Sequence, residues 1–285
     1  MYHERDGHDL AAAQPDRRRR ARKPHRLRRR VGERVEMLGE AIDLLRPEEV
    51  LLQVRMWIED GVQAVVANHN LHSLCLVRED ERMRAFYDRV DLIQLDSKPL
   101  VWFGRLKGLP MRGIHRSTYL DWRDHFWSLA NRMGWRVFYV GGADGVAARA
   151  AETLTTRYPN AVIATRSGYF DMAGEDNRKL LTTIDAFRPH ILFVGMGMPR
   201  QEAWIADNLA ALPDCVVFNV GAAFDYEAGA QKAAPRWMGR LGVEWLVRLV
   251  SDPRRLFVRY CVEPWRLAGP AIADLSQGRA GRTTA

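Results

Sequence analysis

Cysteine is scarce in this chain, and long apolar runs are missing altogether. The three cysteines, Cys75, Cys215 and Cys261, are odd in number and far apart. They outline neither a disulfide framework nor a metal-ligand spacing, which points to a reducing, cytoplasmic compartment. No apolar run approaches the roughly 18–20 residues that cross a bilayer. No apolar h-region follows the first residues, so no secretory signal is expected. Asp-x-Asp, the metal-holding pair of many sugar-nucleotide transferases, does not occur, nor does G-x-S-x-G or a P-loop. His69, His72 and His115 have no ligand-like spacing with carboxylates, so no metal and no other cofactor is expected.

What is present suffices for a full core. The 285 residues are 47% hydrophobic and 27% charged, enough for one large α/β domain or two small ones. The net charge of +8 is unevenly placed. Residues 1–30 hold eleven Arg/Lys against Glu4, Asp6, Asp9 and Asp16, which leaves about +1 for the rest. Such a segment, low in apolar residues and self-repelling, reads as a disordered arginine-rich tail over 1–32. It would suit acidic lipid head groups or nucleic acid, or be merely solvated.

The body of the chain alternates. Residues 35–45 show helical spacing (Val35, Leu38, Ala41, Ile42, Leu45) that Pro47 would stop. Strands are expected over 63–67, 91–95, 136–140, 161–165, 190–195 and 216–220. Helices are expected over 71–89, 99–106, 119–133, 146–157, 175–187 and 200–209. Such alternation means right-handed crossovers and a mostly parallel sheet with helices on both faces. The fold class is therefore Rossmann-like α/β over 33–240, followed by a short C-terminal helical appendage over 241–270 and a flexible tail over 271–285. From Arg236 to Arg266, seven arginines are interleaved with Trp237, Trp245, Phe257, Tyr260 and Trp265. That composition suits a lipid–water interface, although an ordinary helical cap would also produce it.

Ligands of such a sheet bind beyond the carboxyl ends of its strands. Four loops fall there: Asn68 to Ser73, Asp96 to Pro99, Gly141 to Gly145, and Gly195 to Glu202. In the last, Gly195 and Gly197 would admit a ligand close to the backbone, and Pro199 opens a helix whose N–H groups face an anion. Gln201 could hydrogen-bond a base or sugar, while Glu202 could simply face the helix dipole. Gly141 and Gly142 could equally make only a close strand–helix turn. Asp96, at a strand end, is either a general base or a helix cap.

Taken in order, these loops resemble the WecG/TagA/CpsF family of bacterial glycosyltransferases. The matching text is VVANHNLHSL, DLIQLDSKPL, GWRVFYVGGADGVAARAAETLTTRYPNAVI, SGYFD, ILFVGMGMPRQEAWI, FNVGAAFDYEAG and APRWMGRLGVEWLVRLVSDPRRLFVRY, roughly residues 60 to 265. The resemblance implies inverting, metal-independent transfer of a hexose-type sugar from a UDP-sugar to a polyprenyl-diphosphate-linked saccharide at the cytoplasmic membrane face. It places the base at Asp96, where Ser97 replaces the family's Gly. Its Thr-x-Asn falls on Asn68 and Asn70, and its loop glutamine on Gln201. Its R-x-x-G-x-D segment is loosely matched by 112–121, with Arg116 as the active arginine and Thr118 nearby. The appendage arginines map to Arg248, Arg255 and Arg259.

Two other classes would use similar parts. A nicotinamide-dependent oxidoreductase would need G-x-G-x-x-G after a first strand and an acid about 20 residues on, and neither occurs. Nucleic-acid binding is suggested by the tail alone, so no specific nucleic acid is expected as a partner. Whether the chain forms a homo-oligomer is open on sequence grounds.

Overall fold

A computed structural model of the chain describes residues 32–231, 235, 238, 239 and 242–276. The arginine-rich segment 1–31 and the last residues, 277–285, lie outside that description, as do Arg236, Trp237 and Arg240.

The first element departs from its helical spacing. Residues 33–44 form an antiparallel hairpin, β1 (Glu33–Met37) and β2 (Glu40–Leu44), paired from Glu33↔Leu44 to Met37↔Glu40. The turn is Leu38-Gly39, with φ of 54° and 73°. Two residues of positive φ form the tight turn whose twist matches paired strands. Val35 and Met37 are buried by strand alternation and Ile42 is buried opposite them, whereas Val35 and Ile42 alone also fit the period of a helix. Pro47 does not stop a helix but opens one, α1 (Pro47–Glu59), at a position where its missing N–H has no partner to lose.

Six parallel strands follow: β3 (Ala64–His69), β4 (Leu92–Leu95), β5 (Arg136–Gly141), β6 (Val162–Arg166), β7 (Ile191–Gly195) and β8 (Val216–Asn219). Their order across the sheet is β4-β3-β8-β7-β5-β6. Between them run α2 (Leu71–Glu79), α3 (Glu81–Tyr87), α4 (Lys98–Leu106), α5 (Tyr119–Met133), α6 (Val146–Arg157), α7 (Glu175–Phe187), α8 (Arg200–Asn208) and α9 (Ala223–Glu227). The single helix expected over 71–89 is two, because Asp80 leaves the helix at φ −123° and caps α3 through the Arg82 N–H at 2.8 Å.

The sheet is covered on both faces. One core cluster gathers Trp122, Phe126, Trp127, Phe193, Phe218 and Phe224, and the other gathers Phe86, Phe138, Leu192, Trp204 and Val217. The hairpin guards the β4 edge: Asp43 Oδ2 accepts the Ile93 N–H at 2.8 Å, and Arg34 donates to the Asp91 carbonyl at 3.2 Å.

Beyond residue 242 a C-terminal arm of short helices returns to the sheet: Glu244–Ser251, Pro253–Phe257, a π-helical turn Val258–Val262, Glu263–Arg266 and Ala268–Ser276. The last helix runs past residue 270, into the stretch expected to be a flexible tail. It is tied down: Asp274 accepts the Leu38 N–H at 2.9 Å and pairs with Lys107 at 2.6 Å, while Leu267 is buried with Leu100 and Val101. No helix among the described residues is long and apolar enough to cross a membrane.

Candidate active site

The loops at the carboxyl edge of the sheet enclose a cavity of about 450 Å³. Its walls come from the ends of β3, β4, β7 and β8, the loops after β5 and β6, and arm residues Arg248, Leu256, Arg259 and Tyr260. A second cavity, of about 360 Å³, opens between the first turns of α2 and α4 and the arm, beside Leu71, His72, Lys98, Pro99, Trp245 and Pro264. The two share Asn70, Asp96, Glu244, Arg248, Arg259 and Tyr260. Asp96 thus stands on the partition between them.

Asp96 follows β4 directly, and its backbone N–H donates to the His69 carbonyl at 2.8 Å. The N-cap position of α4 belongs to Ser97, so the cap alternative for Asp96 does not hold. Burial pushes the Asp96 carboxyl above the usual 3.8, against the opposing pull of Arg116 and Arg248. The Arg116 guanidinium lies 3.7 Å from Asp96 and 4.0 Å from Asp121, and it is bonded to Glu244 at the start of the arm.

Two arm arginines face the same space. Arg248 donates to the Tyr226 hydroxyl at 2.7 Å. The Arg259 Nε is buried without a partner, and burial lowers its pKa, with Arg248 adding repulsion. Two desolvated guanidiniums lie side by side near Asp96, with Glu263 also acting on Arg259, and the unpartnered Arg259 Nε is a donor that an anion would satisfy. The arm is anchored here by His72 Nδ1···Glu263 Oε2 at 2.5 Å and by Arg266–Glu79 at 2.8 Å.

The sequence model of the glycosyl transferase WecG/TagA/CpsF family matches residues 35–280. The chain belongs to that family. Curated relatives named N-acetylglucosaminyldiphosphoundecaprenol N-acetyl-beta-D-mannosaminyltransferase, from Staphylococcus aureus strains MRSA252, MW2 and NCTC 8325 / PS 47, are each 33% identical over 142 residues. Those residues are 50% of this chain and 55% of theirs, so the chain spans about half the length of the curated relatives it matches.

In this family member the remaining sequence-named residues gather at the same edge, several with their polar groups turned inward. Asn68 and Asn70 line the larger cavity, Asn68 reaching the Asn219 carbonyl at 3.4 Å and Asn70 capping α2 through the Ser73 N–H at 3.0 Å. Thr118 lines it too, its hydroxyl donating to Asp121 at 2.7 Å. Gln201 is 1% exposed, and its Oε1 accepts the N–H groups of Gly197 and Gly221, both at 3.2 Å. Its Nε2 donates to Glu202 Oε1 at 2.7 Å, and Asn219 Nδ2 donates to the same oxygen at 2.8 Å. Glu202 Oε2 is buried with no partner, and burial raises the carboxyl's pKa. Gly142, Gly195 and Gly197 line the cavity, while Gly141, the last residue of β5, is not part of its lining. A Cβ at Gly141 would strike the Gly195 carbonyl, and one at Gly195 would strike the Gly221 carbonyl, so packing alone demands both glycines. Arg255 sits in the helix Pro253–Phe257, with its side chain outside the described atoms.

Several wall residues were not named as site residues from the sequence. Tyr169 stands on the rim, 78% exposed, on a loop held by Arg200, which donates to the Gly168 and Phe170 carbonyls at 3.1 and 2.8 Å. Its only signal was its place in SGYFD. Tyr226, Tyr260, Asp225, Asn219 and Glu244 also line the cavity. Among the described residues no group of three or more His, Cys, Asp or Glu is placed to hold a metal ion.

Proposed function

We propose that the protein transfers a hexose-type sugar from a UDP-sugar to a saccharide carried on a polyprenyl diphosphate, with inversion and without a metal ion. The sugar is N-acetylmannosamine-, uronic acid- or glucose-like, and the reaction belongs to the building of an exopolysaccharide, capsule or cell-wall polymer at the cytoplasmic membrane face. The names of the staphylococcal relatives supply the acceptor class and one donor sugar. The observation that carries the reading is the position of Asp96 between two cavities, beside the half-buried Arg248 and Arg259, the second with a buried Nε that has no hydrogen-bond partner.

In this reading the larger cavity takes the donor and the smaller takes the acceptor end. The acceptor hydroxyl oxygen attacks the anomeric carbon of the donor, and Asp96 takes its proton. The bond from that carbon to the diphosphate breaks, and UDP leaves with the electron pair. A sugar hydroxyl is a weak acid, so a carboxylate with a raised pKa at a rigid strand end suits the task. The N–H groups of Gly197 and Gly221 are committed to Gln201. The growing diphosphate charge therefore falls to Arg248 and Arg259. Tyr169 offers a flat face to the base.

The test is a screen of UDP-sugars in EDTA with a short polyprenyl-diphosphate saccharide. Turnover in chelator that collapses in Asp96→Asn is the expected result. UDP binding with no turnover for any donor would overturn the acceptor assignment. Turnover that needs a divalent cation would overturn the metal-independent step.

A further inference from the structure

Between Asp96 and Asp121 the chain carries no acidic residue, yet it holds Lys98, Arg105, Lys107, Arg112 and Arg116. Lys107 and Arg116 are neutralised by carboxylates of the arm, Asp274 and Glu244. Among the described residues Arg105 and Arg112 form no ion pair, and Arg105 Nε merely donates to the Met111 carbonyl at 3.1 Å. The same stretch is apolar where a soluble surface would be polar. Trp102 and Leu106, one turn apart on α4, are 53% and 70% exposed, and Ile114 is 51% exposed. The opposite face of α4 packs inward through Leu100, Val101 and Gly104.

This ridge does not stand alone. The arm passes beside its first turn, where a Cβ on Gly242 would lie 3.6 Å from the Trp102 ring, and Asp274 bonds Lys107 just past its last turn. The arm carries its own exposed apolar side chains, with Val250 at 80%, Trp265 at 77% and Ile272 at 70%. The first residues of α4, Lys98 and Pro99, form a wall of the smaller cavity.

We infer that α4 is a membrane-docking element of the core. Trp102 and Leu106 enter the head-group boundary of an anionic bilayer, Arg105 and Arg112 meet its phosphates, and the mouth of the smaller cavity is thereby set against the lipid. An indole with an apolar body and a polar edge, beside cations that form no ion pair among the described residues, is the chemistry that such an interface selects. The inference takes its purpose from the lipid-borne acceptor proposed above. Its test needs no turnover, so the two readings fail separately.

The full-length chain is tested on vesicles of phosphatidylglycerol and phosphatidylcholine. In a Cys261→Ser background, Leu106→Cys carries an environment-sensitive fluorophore. Met133→Cys carries the same label as control, because Met133 is exposed at the far end of α5, just before β5 begins. Vesicles should shift the label at 106 to the blue and leave the label at 133 unchanged. In parallel, Trp102→Ser/Leu106→Ser should weaken vesicle binding about tenfold, the loss expected when buried apolar surface becomes polar. Raising the salt removes the purely electrostatic share contributed by residues 1–30. A label at 106 that stays in water while the protein floats with vesicles would overturn the inference. So would unchanged binding by the double variant, or a blue shift that follows protein concentration without lipid, which would place a second copy on the ridge.

Discussion

Arg116 and Glu244 join the core to the arm at the point where the two cavities meet, and the same guanidinium lies 3.7 Å from Asp96. One cation is thus shared between a carboxylate of the arm and the carboxylate proposed as base. Removing the arm's carboxylate would free Arg116 to pair with Asp96, lowering its pKa and drawing it from the acceptor. Glu244→Gln should therefore reduce kcat and move the acid limb of the pH–rate profile to lower pH. Arg116→Gln should move the limb to higher pH, since Arg116 pulls the Asp96 pKa down. Opposite displacements in the two variants are the signature. Shifts in the same direction would show that Arg116 does not mediate between them.

Asp96 itself sets the second prediction. Burial holds its carboxyl above the ordinary 3.8, and the base works only when ionised. Activity should fall as pH drops through a value above that of a free aspartate. Asp96→Asn should cost about 100-fold or more in kcat at every pH while leaving UDP affinity, read by calorimetry, within about twofold. An equal loss of UDP binding would assign Asp96 to the donor site instead.

The sheet was legible because most of its strands are short apolar runs that end at or next to Gly, Asn or Asp, and most of the helices between them repeat with their own period. The hairpin was not, because Val35 and Ile42 satisfy a helical spacing and are also paired across the hairpin, while Leu38, which fits the same helical spacing, sits in its turn. Within the site, Asp96, Asn70, Arg116, Arg248 and Arg259, all named from motif order, line one or both cavities. Glu244 and Tyr260 could not be placed there from sequence, since they reach the cavity only when the arm folds back over the sheet edge. The inward role of Gln201 was hidden for a related reason. Its oxygen joins turns after two different strands, Gly197 after β7 and Gly221 after β8.

Tyr169 carries the third prediction. It presents its ring at the cavity rim on a loop that Arg200 holds from both sides. Stacking of a base on an aromatic face is worth about 1–3 kcal/mol on alanine substitution. Tyr169→Ala should raise the donor KM about tenfold with little change in kcat, and Tyr169→Phe should retain parental values. UDP binding by the alanine variant equal to the parent's would remove Tyr169 from the donor site.

Glu202 bears on stability rather than on substrate. It is 0% exposed, and its Oε1 receives the amides of Gln201 and Asn219 while Oε2 has no partner. Burial raises its native pKa above the ordinary 4.5, so the folded state holds the proton more tightly than the unfolded chain does. The stabilisation from that proton is complete below pH 4.5 and is lost as pH rises through the native value. Glu202→Gln keeps an acceptor for both amides and does not titrate. Thermal melts at a series of pH values should therefore show the Tm of Glu202→Gln gaining on the parent as pH increases. Glu202→Ala would instead strand two buried amide donors, each costing about 1–3 kcal/mol, at all pH values. A Tm difference between parent and Glu202→Gln that does not change with pH would mean that the carboxyl titrates alike in the folded and unfolded states.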